Sequence, residues 1–171
     1  AADGHKWLMA PEGAGLFYVR KEGMERLAVQ EVGWASVVNK EDYLNYNLTL
    51  RPDATRFECG SPNTLGIYGL KGALELILEV GIVAIEARVL ELTDFLCDGL
   101  QKKGYKVFSS RREGEKSGIV SFYSERGDTR AIYHELRRKG IIVSLREGRI
   151  RAAPHFYNTQ EEIEHLLKAL P

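Results

Sequence analysis

Hydrophobic positions change their period along the chain, and the changes mark its elements. Leu16-Phe17-Tyr18-Val19-Arg20 follows the turn material Pro11-Glu12-Gly13-Ala14-Gly15 and predicts a short buried strand. Lys21 to Ala28 reads as one short helix. Residues 29–60 keep no regular period, but Trp34, Tyr43, Tyr46 and Phe57 predict an ordered, packed excursion and not a linker. Ser61-Pro62 opens a helix, because serine caps well and proline is favoured at the first helical position. Leu70, Leu74, Ile77 and Leu78 continue it at helical spacing. Gly81 interrupts. Ile82, Ile85, Val89, Leu92, Leu96 and Leu100 predict a second helix, closed by Gly104. At about 20 residues it would be roughly 30 Å long, enough to bridge two domains.

After Gly104 the texture becomes short and alternating. Tyr105 to Phe108, Ile119 to Tyr123, Ile141 to Leu145 and Arg149 to Ala153 read as strands, the last two joined by the tight turn Arg146-Glu147-Gly148. Asp128 caps a helix running to Lys139 and stopped by Gly140. Thr159-Gln160-Glu161-Glu162 is a capping box that opens an amphipathic helix to Leu170. The pattern predicts a small α+β layer with a four-stranded sheet and helices on one face. It places a domain boundary near residue 95, inside the long helix.

Composition narrows the picture. The chain has 171 residues, 44% of them apolar, and balances 24 Lys and Arg against 24 Asp and Glu. Zero net charge offers no electrostatic reason for a nucleic-acid or acidic-membrane partner. Cys59 and Cys97 lie far apart, without metal-ligand spacing, and no pair of histidines has a zinc-ligand spacing, so no metal is expected. No signal peptide is visible at the start, and free cysteines suit a cytoplasmic location. The chain starts without Met, so it is either numbered from a processed site or a piece of something longer.

Three places could carry chemistry. Lys6, in Asp3-Gly4-His5-Lys6-Trp7-Leu8, offers an amine that can form an imine with an aldehyde once partly desolvated. Taken alone, a lysine near a chain terminus reads as a solvated surface charge. Ser61-Pro62-Asn63 sits at a helix start, where amide N–H groups and the helix dipole favour an anion; alone it reads as an N-cap. Arg149 and Arg151 share one face of a strand, and a guanidinium fork can hold a carboxylate; alone the pair reads as a solvated sheet face.

Together these stretches resemble the class V aminotransferases, a branch of the pyridoxal-phosphate (PLP) enzymes that includes cysteine desulfurases and isopenicillin-N-epimerase-like proteins. The matching pieces, in the family's order, are Asp3 to Leu8, Pro11-Glu12-Gly13 with the strand to Arg20, Arg56 to Asn63 with the helix after it, and Arg151 to Thr159. The resemblance implies an α/β chain: residues 1–95 as the C-terminal part of a fold-type I PLP-binding large domain, and 96–171 as a small C-terminal α+β domain. It implies a C-terminal half of an enzyme acting at the Cα of an amino acid by transamination, epimerisation or elimination. Lys6 would be the Schiff-base lysine and then the proton-transfer base. His5 would lie against the pyridoxal 5'-phosphate cofactor. Ser61 would reach the phosphate of the partner subunit's cofactor in a homodimer. Arg151 would grip the α-carboxylate of a small amino-acid substrate.

Two departures stand out. Many relatives carry Ser where Asp3 stands, and a carboxylate there would repel a phosphate dianion unless it points away. Desulfurases carry a catalytic cysteine on the loop before the arginine strand, where this chain has Arg146-Glu147-Gly148. This fragment alone is expected to be inactive, since much of the family's cofactor site precedes the lysine. The competing reading is a non-catalytic α+β interaction domain that does not bind cofactor alone.

Overall fold

At Gly81 the backbone takes a φ of 87°, which ends one helix and caps the next. The computed structural model covers residues 1–171 and packs as two compact units, Ala1–Glu79 and Val80–Pro171. Each is described in turn.

The second unit holds helix α3 (Ile82–Lys102), strands β3 (Lys106–Val107) and β4 (Val120–Tyr123), helix α4 (Thr129–Arg138), strands β5 (Ser144–Arg146) and β6 (Arg149–Ala152), and helix α5 (Gln160–Ala169). The four strands form an antiparallel sheet in the order β3-β4-β6-β5. Alternation sorts their side chains: Val120, Phe122, Ile150 and Ala152 are buried, whereas Ser121, Tyr123, Arg149 and Arg151 face the other way and are half-buried. The buried face packs with Leu92, Leu96 and Leu100 of α3, Ile132 and Leu136 of α4, and Ile163 and Leu166 of α5. The helices therefore cover one face only. At Gly99 a methyl group would come 2.3 Å from Leu167 Cδ1, so glycine lets α3 and α5 approach closely.

The ends of these elements follow local rules. Asp128 accepts from Arg130 N, and Thr159 and Glu162 form the reciprocal capping box. Tyr105 N donates to Leu100 O, closing α3 around Gly104 at a φ of 84°. Glu147 and Gly148 both have positive φ, the twist that a two-residue hairpin between β5 and β6 requires. The segment between β3 and β4 is tied to α3 by Asp94, which takes Arg111 Nη2 at 2.6 Å and Lys116 Nζ at 2.8 Å. Those two cations hold the Asp94 carboxyl below its ordinary range.

The first unit holds a short ladder of β1 (Ala2–Asp3) with β2 (Gly15–Leu16), helix α1 (Lys21–Met24), a 3-10 turn at Ala54–Phe57 and helix α2 (Thr64–Val80). Its excursion is ordered around Ser36, fully buried, whose hydroxyl donates to Glu58 O while its backbone accepts from Arg51 N. Arg56 adds an ion pair with Glu25 at 3.1 Å.

Three sequence expectations are corrected. The strand to Arg20 ends at Leu16, and Phe17 and Tyr18 are exposed, because β1 offers only two residues to pair with. The helix at Lys21 closes at Met24, four residues long. Tyr43 and Tyr46 face solvent, so the excursion is held by hydrogen bonds more than by its aromatics. The whole of α3 packs within the second unit, because Leu92, Leu96 and Leu100 all belong to the sheet unit's core.

Phe122 is fully buried and meets Tyr105 edge to face at 5.7 Å. Phe122→Ala should cost about 3–5 kcal/mol in chemical unfolding of the sheet unit. The neighbouring Tyr123→Ala, on the open face, should cost less than half of that.

Candidate active site

The Lys6 loop is closed by backbone bonds before any side chain acts. Gly4 N donates to Ala14 O at 2.9 Å, Ala10 N to Gly4 O at 2.8 Å and Met9 N to Lys6 O at 3.0 Å. Gly4 is buried, and a methyl group there would lie 2.5 Å from Ala14 O, so only glycine permits the crossing. Asn63 fastens the far side. Its Nδ2 donates to Gly13 O at 2.9 Å, and its Oδ1 accepts from Gly66 N at 3.0 Å. Asn63 is thus the N-cap of α2, and Ser61 lies two residues before that cap. This corrects the expected cap: asparagine caps as well as serine, and only Asn63 reaches the third amide of the helix. Gly66 and Gly69 then let the loop lie on α2, since methyl groups would meet Asn63 and Ala14 at the first and Pro11 at the second.

Lys6 and His5 are exposed on this braced loop. The Lys6 ammonium pairs with the Asp3 carboxylate across one turn. The hydrogen bond from Lys6, reinforced by its charge, holds the Asp3 carboxyl below its ordinary range. Asp3 therefore directs its charge at the lysine, which answers the repulsion expected toward a phosphate. An accessible primary amine, a histidine beside it and a serine next to the start of α2 fit an aldehyde that also carries an anion.

Arg151 belongs to the other unit. It lies in β6 between Ser121 and Ser144 of its neighbouring strands, and its Nε donates to Ser144 Oγ at 3.2 Å. That bond spends the inner donor and leaves the two terminal nitrogens for a ligand. Arg149, two residues back, stacks its guanidinium 3.7 Å from the centre of the Phe108 ring. His155 is buried in the following loop and stacks on Tyr157. Sequence reasoning missed Asn63 as the clamp, Ser144 as the support of Arg151 and Phe108 under Arg149. The first was legible as an N-cap; the other two depend on strand register, which no local pattern states.

The cysteines lie elsewhere. Cys59 is exposed in the first unit, and Cys97 is buried in α3, where burial pushes its thiol up. Neither is on the β5–β6 turn.

Comparison with known families places this geometry. The family described as aminotransferase class-V matches residues 1–166. The chain belongs to the class-V aminotransferase family. An uncharacterised aminotransferase of Bacillus subtilis is 30% identical over 98% of this chain and 43% of its own length. A probable cysteine desulfurase of Pyrococcus abyssi is 30% identical over 99% and 45%, and a kynureninase of Bacillus mycoides 28% over 97% and 40%. The chain thus spans under half the length of these relatives. Among solved structures, the apo cysteine desulfurase of Thermococcus onnurineus superposes with a TM-score of 0.85 at 25% identity, covering 97% of this chain and 44% of that one. The cystine C–S lyase C-DES gives 0.83 at 26%, with the same coverage. The α/β fold is therefore that of PLP-dependent class-V enzymes. No helix is long and apolar enough to cross a membrane.

The Asp3–Lys6 pair has a signature in solution. Because the Asp3 midpoint is depressed, whatever the pair contributes is complete at neutral pH and lost as pH falls through that lowered midpoint. A carboxyl NMR titration should find Asp3 titrating below 3.8. In Lys6→Ala the midpoint should rise toward that ordinary value; an unmoved midpoint would show that the contact is not populated.

Proposed function

We propose that the whole protein is a PLP-dependent enzyme acting at the Cα of an amino acid, and that this chain is its C-terminal half. The observation that carries the reading is the accessible Lys6 amine on a loop braced at Gly4 and Asn63, in a chain whose family match runs over residues 1–166. Coverage of 43–45% of the first relatives' lengths supports the half-chain reading. So do the exposed Tyr18, Leu65, Tyr68 and Leu78, apolar surface of the kind that another part of a protein covers. On this reading residues 1–95 complete a PLP-binding large domain and 96–171 form the small C-terminal domain.

When bound, pyridoxal 5'-phosphate supplies an aldehyde that takes up amines and an electron sink for the charge left at Cα. Lys6 would hold the cofactor and would move the proton at Cα. Only a neutral amine can accept that proton, and the amine is held in an ion pair with Asp3, so Lys6 would have to leave Asp3 to act. His5 would lie against the cofactor. Ser61 would reach the phosphate held mainly by a second subunit, so that the working species would be a homodimer. Arg151 binds the α-carboxylate with its terminal nitrogens while Ser144 holds the stem of its guanidinium. Two free cysteines suit a cytoplasmic enzyme. With no cysteine on the β5–β6 turn, the residues favour transamination, epimerisation or elimination over desulfuration by a loop thiol.

Borohydride reduction of the full-length protein followed by peptide mapping should place the pyridoxyl group on Lys6. Lys6→Ala should lose that label and lower turnover by at least about 10²- to 10⁴-fold with the fold intact. A pyridoxyl group on another lysine removes Lys6 from its role; no pyridoxyl group at all removes the reading and leaves an interaction domain.

Arg151 is tested by pairing an amino-acid substrate with its decarboxylated amine. A charge-assisted contact is worth about 1.5–3 kcal/mol, so Arg151→Ala should lower kcat/KM for the carboxylated partner about ten- to a hundredfold and erase most of the preference. Arg151→Lys should recover little, because an ammonium lacks the planar fork. An unchanged preference in both variants would remove Arg151 from the site.

A further inference from the structure

The open face of the four-stranded sheet is built for negative charge beyond one carboxylate. Strand register brings Arg146 and Arg149 opposite one another and places Arg151 between Ser121 and Ser144, all on the face away from the helices. None of the three arginines has a carboxylate within ion-pair distance. Of the acidic groups on neighbouring segments, Glu125 pairs with Lys106 at 3.6 Å and Glu147 is at the tip of the hairpin. Arg149 and Arg151 are nonetheless half-buried, and each is held by a neutral group that leaves its charge unspent. The Phe108 ring carries Arg149, and the Ser144 hydroxyl orients Arg151.

The two heads also lean apart. Arg151 turns toward β5, where Ser144 lies, and Arg149 reaches across β4 to the residue that follows β3. Their backbone positions are about 6.6 Å apart along the strand. With the heads diverging from there, a single carboxylate cannot satisfy both, and a ligand with two anionic ends can.

We propose that Arg149 binds a second carboxylate, at the far end of the substrate's side chain, so that the substrate is a dicarboxylic amino acid. This rests on the proposed function only in naming Arg151 as the holder of the α-carboxylate. Phe108 is then a positioning residue: it presents the Arg149 guanidinium flat and prevents it from folding back onto the sheet.

The test needs no turnover. Binding of glutarate and of pentanoate, diacid and monoacid of equal carbon number, is measured by calorimetry on the full-length protein. Glutarate should bind about ten- to a hundredfold tighter, the worth of one further charge-assisted contact. Arg149→Leu should bring that ratio close to one while pentanoate binding stays unchanged. Arg149→Lys should recover part of it, and Phe108→Leu should reduce it without removing it. Equal binding of the two acids by the unaltered protein overturns the proposal, whatever the variants do, and so does a ratio that survives Arg149→Leu. A missing pyridoxyl label on Lys6 with the glutarate preference intact would sink the enzymatic reading and leave the dicarboxylate site standing.

Discussion

A primary amide offers an acceptor at one end and donors at the other, and Asn63 uses both ends at once. Its oxygen satisfies an amide that the first turn of α2 would leave open, and its nitrogen closes on Gly13 O, fifty residues earlier in the chain. One side chain therefore fixes where the helix begins and where the Lys6 loop ends. The residues that could carry chemistry have little cover on this loop: Gly4 is buried, but His5 and Lys6 are exposed. The backbone that bears them is held by directional hydrogen bonds at Gly4 and Gly13. Gly66 and Gly69 complete the arrangement by removing the side chains that would hold the loop away from the helix.

A braced loop with an exposed amine raises an electrostatic question that the fold answers locally. A lysine in water is an ammonium, and the chemistry proposed for Lys6 needs the neutral amine. Asp3 complicates this by holding the lysine in an ion pair. The two demands are compatible if the carboxylate holds the ammonium while the lysine is idle, keeping it from wandering or pairing elsewhere.

How far the sequence reached depended on the range of the physics involved. The helices α3, α4 and α5 were legible because apolar spacing, caps and C-terminal glycines are local, and Asp128, Thr159 and Gly104 behave as such residues do. The sheet was legible from alternation, since Val120, Phe122, Ile150 and Ala152 face the helices and their neighbours do not. Leu16 to Arg20 was misread because an apolar run specifies only that something must cover it; β1 pairs with two residues and covers none of Phe17 and Tyr18. Ser61 was misread as the cap because two good caps stood two residues apart, and only geometry decides which reaches Gly66 N. His5 and Lys6 lie on the exposed loop, Ser61 before the cap of α2, and Arg151 on β6. What surrounds them, Ser144 and Phe108 above all, depends on which strands are neighbours.

That dependence explains why the arginine face is informative. A guanidinium that loses water without gaining a carboxylate carries an uncompensated cost, and proteins ordinarily relieve it with an acidic neighbour. The same chain does so elsewhere: Arg111 and Lys116 share Asp94, and Arg56 meets Glu25. On the open face of the sheet it does not. Arg149 rests on a ring and Arg151 on a hydroxyl, supports that fix direction and leave charge available. Acidic partners would have stabilised this unit more, at positions such as Ser121 or Ser144 that are well placed to hold them. A face that keeps its cations oriented and unneutralised, in a chain that neutralises its other half-buried arginines, reserves that charge for a ligand.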